Sequence, residues 1–271
     1  MPSFGGWKSA RLRENDVRRI ASVLIRVAQF VAHTNVLDVE VRSPENGDPT
    51  TTLDLQINHL IREFLPSEGE GWLSEESRDD LVRLDCRRMW IVDPIDGTRE
   101  FAEGIAEWSV SIALVEDHKA VAGGVLNPCI GELFLGSLET GLRVSRLAKE
   151  GRRDEMKSGG VVLVSRREYR EGKWQPFAES ALTITPMGSI AYRLARVAAG
   201  WAEATCTFQP RYEWDVAAGA ALVCASGGKV QTTNGALIRF NNAIPRVETF
   251  AAFSKHCPPT VPDVLFATRT K

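Results

Sequence analysis

The sequence is poor in the features that mark redox or thiolate-metal proteins. Its five cysteines, Cys86, Cys129, Cys206, Cys224 and Cys257, are odd in number and widely spaced. A C-x-x-C zinc or redox motif is therefore absent. No disulfide framework is expected, and a reducing, cytoplasmic setting fits. No uncharged run approaches the roughly 18 apolar residues of a membrane span, so no membrane partner is expected. The opening Met1-Pro2-Ser3-Phe4-Gly5-Gly6-Trp7 lacks a basic region followed by an apolar run, and no signal peptide is expected. Charge of one sign is also lacking: 33 Lys and Arg face 35 Asp and Glu, for a formal charge of −2. Such a chain carries no global field for gripping a nucleic-acid polymer, although a small anionic substrate needs only a local site. Internal repeats and low-complexity segments are absent.

What is present is ordinary for a globular protein: 271 residues, 44% hydrophobic and 25% charged. That length suits two domains or one large α/β domain. Apolar residues at Val17, Ile20, Leu24, Val27 and Val31 predict an amphipathic helix over about 15–34, capped by Asn15 or Asp16. The turn-rich Ser43 to Thr50 reads as a loop, followed by a helix from about Thr52 to Phe64. Met89–Val92 reads as a short strand that halts at Asp93. Trp108–Val115, Ala120–Leu126, Glu132–Gly136 and Leu142–Val144 form a β-rich block, with a turn at Glu116-Asp117-His118. The charged, Gly-terminated 146–159 reads as a linker. Beyond it, strands near Val161–Val164, Lys229–Thr232 and Thr249–Phe253 alternate with helices over Ser189–Ala199 and Asp215–Ala225. The expected organisation is an N-terminal α+β half, 1–145, and a C-terminal α/β half, 146–271.

Four acidic features lie beside element boundaries: Asp54, Glu75-Glu76, the run Asp93-Pro94-Ile95-Asp96-Gly97-Thr98, and Asp215. In the third, a strand end meets a helix start across a tight turn. Two carboxylates three residues apart can converge there, beside free N–H groups that suit an anion. A divalent cation would reconcile carboxylates with an anion, and all-oxygen ligands suit Mg²⁺, Mn²⁺ or Ca²⁺. Each feature alone has a plainer reading. The D-P-x-D-G run can be a turn with two surface acids, Glu75-Glu76 a solvated face, and Asp215 or Asp54 a helix cap.

Together and in this order, the motifs resemble the inositol monophosphatase superfamily of Mg²⁺-dependent, lithium-sensitive phosphatases. Trp90–Thr98 matches its W-[IV]-[IV]-D-P-[IL]-D-G-T, and Trp214–Gly219 matches its W-D-x-A-A-G. Ser74-Glu75-Glu76-Ser77 resembles its G-E-E-S, and Thr51–Asp54 its T-x-x-D. The resemblance implies a layered α/β/α/β/α sandwich and hydrolysis by metal-activated water, without a covalent intermediate. It implies that Glu75, Asp93 and the Ile95 carbonyl hold one Mg²⁺, and that Asp93, Asp96 and Asp215 hold a second. A third, weaker ion is implied near Glu75, and Mn²⁺ is a possible substitute. Gly97 and Thr98 would bind phosphate through backbone N–H groups. Thr98 and Asp54 would orient the attacking water. A homodimer is usual in the family. His33, His59, His118 and His256 fall in no motif and read as surface or packing residues.

Arg99-Glu100-Phe101 and Glu213-Trp214-Asp215 resemble the 3′(2′),5′-bisphosphate nucleotidase branch. The expected substrate is 3′-phosphoadenosine 5′-phosphate, with inositol 1-phosphate, fructose 1,6-bisphosphate or a range of sugar phosphates as alternatives. A non-catalytic regulatory homologue is a further alternative, opposed by the full set of implied metal ligands. The branch's G-S-S-L-K is only partly matched by Gly188-Ser189-Ile190-Ala191-Tyr192, whose Lys is missing. Gly188, Ser189, Arg193 and Glu213 are the candidate substrate contacts. Arg193 either meets a second phosphate or is an exposed helix charge. The acid that holds inositol hydroxyls in inositol monophosphatases has no counterpart near Phe208. The family's loop Lys is also missing, with Arg42 the nearest base.

Overall fold

A computed structural model of the chain describes residues 4–35, 39–42, 49–147 and 160–267. Most of the expected loop at 43–50 and of the expected linker at 146–159 lies outside the described residues. Along the chain run α1 (Phe4–His33), β1 (Val41–Arg42), β2 (Thr50–Thr51), α2 (Thr52–Phe64), β3 (Gly71–Ser74), β4 (Arg88–Asp96) and α3 (Thr98–Ala102). A meander follows: β5 (Ser109–Glu116), β6 (Lys119–Asn127), β7 (Glu132–Ser137) and β8 (Gly141–Arg146). Next come β9 (Val161–Ser165), α4 (Arg166–Arg170), β10 (Thr183–Met187), α5 (Ile190–Ala198), β11 (Ala204–Cys206) and β12 (Arg211–Tyr212). The chain continues through α6 (Glu213–Ala225), β13 (Lys229–Thr232), β14 (Arg246–Val247), β15 (Phe250–Phe253) and α7 (Thr260–Ala267).

Two sheets organise these elements. The first has six strands in sequence order from β3 to β8, with β3 parallel to β4 and the rest antiparallel. The second has five strands, ordered β10-β9-β11-β15-β13. Side chains alternate across each strand, so a buried strand feeds two cores. On β4, Trp90 and Val92 pack under Ile20 and Leu24 of α1 and Ile57 and Ile61 of α2. Met89 and Ile91 point the other way, toward Leu194 of α5 and Ala217 and Leu222 of α6. Leu163, Phe250 and Ala252 of the second sheet close on the same two helices. Its opposite face, with Val162, Val164 and Ala251, is covered by Trp174, Phe177, Val261 and Leu265. The layers are therefore α/β/α/β/α, the sandwich expected from the motifs.

The middle layer explains the composition of α6. A helix between two sheets exposes little surface, and E-W-D-V-A-A-G-A-A-L-V-C-A is apolar almost all round. Small residues let the layers approach: a Cβ on Gly219 would stand 2.3 Å from Leu194 Cβ of α5.

Several boundaries differ from the sequence reading. Helix α1 begins at Phe4, not near Asn15. Asp16 does not cap it. Asp16 is 1% exposed, and its carboxylate accepts from Arg88 Nη2 of β4 at 2.7 Å and from Arg13 Nη1 at 3.0 Å. The charged residues before it form helix well but carry no apolar period to reveal it. Strand β4 does not halt at Asp93 but runs on through Asp96. The turn at Asp117-His118 is a tight hairpin, with both residues left-handed at φ 48° and 64°. Strands β3, β10 and β11 and helices α4 and α7 are additional elements, too short or too polar to carry a clear period. Among the described residues, no helix is long and apolar enough to cross a membrane.

Candidate active site

The site is built on an irregularity in β4. Asp93 pairs with Ser111 of β5 and Asp96 with Ser109, so β4 carries one residue more than its partner over this stretch. Such a bulge kinks a strand and re-aims its side chains. Pro94 sits inside it and has no N–H to lose from the ladder. The Ile95 N–H, freed from regular pairing, donates to Asp93 Oδ1 at 3.0 Å, and the Ile95 carbonyl accepts from Thr98 Oγ1 at 2.9 Å. Gly97 then reverses the chain at φ +95°, with the Glu107 carbonyl and Ser189 N standing 3.2 and 3.3 Å from where a Cβ would lie. The left-handed conformation and the crowding both require glycine.

Other elements bring further carboxylates to this point. Asp215 is the third residue of α6, and its Oδ2 accepts from Tyr212 N at 3.3 Å. The middle layer thus carries Asp215 against the end of β4. Oxygens of Asp93, Asp96 and Asp215 all lie within 4.8 Å of one another. Glu75 follows β3, tied to β4 by its N–H to the Val92 carbonyl at 3.4 Å. Asp96 Oδ2 accepts from Ser189 Oγ and from Ala191 N, each at 2.6 Å. Ser189 pays for that contact in backbone strain, a non-glycine residue at φ 41°.

The electrostatics of this cluster are unfavourable without a cation. Burial and the charges of Asp215, Glu76, Asp96 and Asp54 push the Glu75 carboxyl up to about 9. Burial and then Glu75 push Asp93 well above the ordinary carboxylate range. Burial also raises Asp96, against the hydrogen bonds from Ser189 and Ala191. Buried like charges with few donors to satisfy them are what a divalent cation would neutralise. The all-oxygen donor set fits Mg²⁺ or Mn²⁺ better than zinc.

Asp54 is the third residue of α2 and lies 2% exposed. Its Oδ2 accepts from Thr51 N at 2.6 Å and Thr51 Oγ1 at 2.5 Å, a capping box of the kind the T-x-x-D spacing allows. Burial, opposed by those bonds, leaves its carboxyl at about 6, and it helps raise Glu76 to about 7. Thr98 and Asp54 are thus each held by a local partner.

Glu75, Asp93, Ile95, Asp96, Gly97, Thr98, Gly188, Ser189 and Asp215 share one open cavity of about 150 Å³. Two of the candidate substrate contacts stand outside its lining. Arg193 is not an exposed helix charge: it is 3% exposed and donates through Nη1 to Thr205 Oγ1 at 3.2 Å. Burial and the neighbouring Arg211 charge hold its guanidinium down at about 10. Glu213 is fully buried and accepts from Asn241 N at 2.7 Å and Asn242 N at 2.9 Å, pinning that loop. The cavity wall instead carries Arg99, of the Arg99-Glu100-Phe101 run, with Arg166, Arg167 and Arg211, which no motif singled out. Arg166 and Arg167 directly follow the apolar strand β9, and a charged pair at the end of an apolar run was the available signal.

The chain thus combines a mixed two-sheet sandwich with a carboxylate cluster at a bulged strand end. The chain belongs to the inositol monophosphatase family, whose sequence profile matches residues 13–258. It is accordingly a phosphoric monoester hydrolase. It is 30% identical to the 3′-phosphoadenosine 5′-phosphate phosphatase of Mycobacterium leprae over 239 residues, covering 82% of this chain and 86% of the relative. It is 31% identical to the inositol-1-monophosphatase of Mesorhizobium japonicum over 215 residues, covering 73% and 77%. The crystal structure of CysQ from Bacteroides thetaiotaomicron, a bacterial family member, superposes with a TM-score of 0.66 at 27% identity, covering 75% of this chain and 83% of that one.

Proposed function

We propose that this chain is a Mg²⁺-dependent phosphatase that removes one phosphate from 3′-phosphoadenosine 5′-phosphate. The observation that carries the metal dependence is the convergence of Asp93, Asp96 and Asp215 within 4.8 Å, with Glu75 beside them. The substrate reading is supported by Arg99-Glu100-Phe101, by Glu213-Trp214-Asp215 and by the likeness to the Mycobacterium leprae phosphatase. Glu75, Asp93 and the Ile95 carbonyl would hold one ion, and Asp93, Asp96 and Asp215 a second, with a weaker third near Glu75. Mn²⁺ would substitute. Bound Mg²⁺ supplies Lewis acidity toward water and toward the phosphoryl oxygens.

The chain's own groups do the positioning. Gly97 and Thr98 present backbone N–H groups to the phosphate from the first turn of α3. Thr98, anchored on the Ile95 carbonyl, and Asp54, anchored on Thr51, orient the attacking water. Ser189 and Ala191 N hold Asp96 in its rotamer across the two halves of the chain. Residues 1–145 would supply most of the metal ligands and 146–271 most of the substrate contacts. The protein would work as a cytoplasmic homodimer and be inhibited by lithium.

Phosphate release with and without Mg²⁺ tests the reading, on 3′-phosphoadenosine 5′-phosphate, inositol 1-phosphate, fructose 1,6-bisphosphate and 2′-AMP. A Mg²⁺-dependent preference for the first is expected. A preference for inositol 1-phosphate would instead favour the activity named for the Mesorhizobium relative.

A further inference from the structure

A buried hydroxyl on a core-facing strand needs a partner. On β5, Val110, Ile112 and Leu114 face α1 and α2, while Ala113 and Val115 face α5 and α6. Ser109 and Ser111 continue the second face toward the carboxylates, and each is 0% exposed. Register sets each beside an acid: Ser111 lies opposite Asp93 and Ser109 opposite Asp96. Residues three apart on a regular strand point to opposite faces. The extra residue of the β4 bulge returns Asp96 to the face of Asp93, the face that the two serines share.

We propose that Ser109 and Ser111 are positioning residues for the ion that Asp93, Asp96 and Asp215 would hold. Ser109 fixes Asp96 through Ser189, and Ser111 fixes Asp215 through the first turn of α6. The inference rests on the metal-dependent phosphatase reading.

The hydrogens of the Ser109 branch run one way. Ser189 Oγ has a single hydrogen, donated to Asp96 Oδ2 at 2.6 Å, and it accepts from Tyr192 N at 3.0 Å as the cap of α5. Ser109 Oγ lies 2.9 Å from Ser189 Oγ and therefore donates to its remaining lone pair. The Ser189 hydroxyl is then saturated, with no capacity left for a substrate. Hydrogen bonds in such a chain polarise one another, so a hydroxyl that receives bonds donates more strongly to a carboxylate. The Ser111 branch is shorter. Its Oγ donates to the Trp214 carbonyl at 3.2 Å, one residue before Asp215. That bond joins the first sheet to the middle layer where Asp215 meets Asp93. Neither serine lines the catalytic cavity, so both act through a neighbour. Partners that orient a metal's ligands commonly contribute 10- to 100-fold in metal affinity.

Calorimetric titration of the metal-free protein with Mn²⁺ tests the assignment. Asp215→Asn identifies the binding event of the Asp93–Asp96–Asp215 ion, because that event should vanish. Ser109→Ala and Ser111→Ala should each weaken the same event about 10-fold and leave any other event unchanged. In turnover, both variants should need about 10-fold more Mg²⁺ for half-maximal phosphate release. Val110→Ala, on the other face of β5, should lower Tm without moving the affinity, which separates positioning from a general loss of stability. Should Ser109→Ala fail to fold, Ser189→Ala tests the same branch one bond nearer Asp96. Unchanged affinity in either serine variant overturns the assignment for that serine, and an equal loss in Val110→Ala overturns it for both. If ions bind but no phosphate ester is hydrolysed, the phosphatase reading fails, and the affinities still decide the serines. If the wild-type protein binds no Mn²⁺, the metal site and the positioning roles fall together.

Discussion

Asp93 is 1% exposed and faces the charges of Glu75, Asp96, Asp215 and Asp54. Its raised carboxyl means that the metal-free fold loses stability as pH rises from the ordinary carboxylate range toward the raised value. Asp93→Asn removes one of these repelling charges and one proposed metal ligand together. Near pH 7 the metal-free variant should melt higher than the metal-free wild type, by about 2–4 °C per kcal/mol of relief. Phosphate release should fall by about 10²–10³-fold or more, and the rise in Tm on adding Mg²⁺ should shrink. Calorimetric scans with EDTA and with Mg²⁺ measure both effects, and an active variant would remove Asp93 from the metal site. Gly97 is a different kind of requirement. Gly97→Ala forces a Cβ into a φ +95° backbone beside the Glu107 carbonyl. It should cost about 1–2 kcal/mol in denaturant unfolding, and a neutral result would contradict the left-handed turn.

At the scale of elements, long-range ion pairs do what local propensity does not. Asp16 ties α1 to β4 through Arg88, and Arg13 reaches Glu116 at the end of β5. Asp16→Ala would remove the carboxylate that bridges the two arginines, leaving Arg13 on Glu116 and Arg88 on Glu70. A loss of about 2 kcal/mol is expected from the urea midpoint at constant m, against a smaller loss for an exposed pair such as Arg18–Glu14. The bulge in β4 is likewise a pairing event. Asp-Pro in the sequence marks an interruption, and an interrupted strand and an ended strand share that mark. Only β5, with Ser111 and Ser109 as partners, decides that the strand continues to Asp96.

At the scale of the whole molecule, acid stability should report the interface between α1, α2 and the first sheet. Burial would raise the Glu70 carboxyl, but Arg19, Trp90 Nε1 and the Ser67 N–H overcome it and hold it at about 2, below the ordinary 4.5. A carboxylate depressed on folding contributes stability that is present above about 4.5 and is lost as pH falls toward about 2. Glu70→Gln should therefore lower stability near neutral pH and flatten its decline across that window, as read by urea midpoints from pH 6 to about 2.5. An unchanged slope would mean that Glu70 is not held by Arg19 and Trp90 in solution.

Sequence alone carries the family, the two long motifs and therefore the identity of the clustered acids. Those residues are local in sequence and chemically unmistakable together: D-P-I-D-G-T and W-D-V-A-A-G occur in order, with Glu75 before them. It also determined α2 and the meander, whose apolar periods are regular. Tertiary structure alone decided how Asp215 meets Asp93, because that meeting needs α6 packed between two sheets. It also placed Arg193 behind the cavity and Arg166 and Arg211 on its wall. Burial belongs to packing, and an arginine carries no mark in sequence that says which side of a helix will face a neighbour. The same holds for Glu213, whose E-W-D context resembles a substrate contact while its carboxylate accepts from Asn241 and Asn242. Motif spacing names the chemistry of a site, whereas the layers that converge on it decide which charges remain open to a ligand.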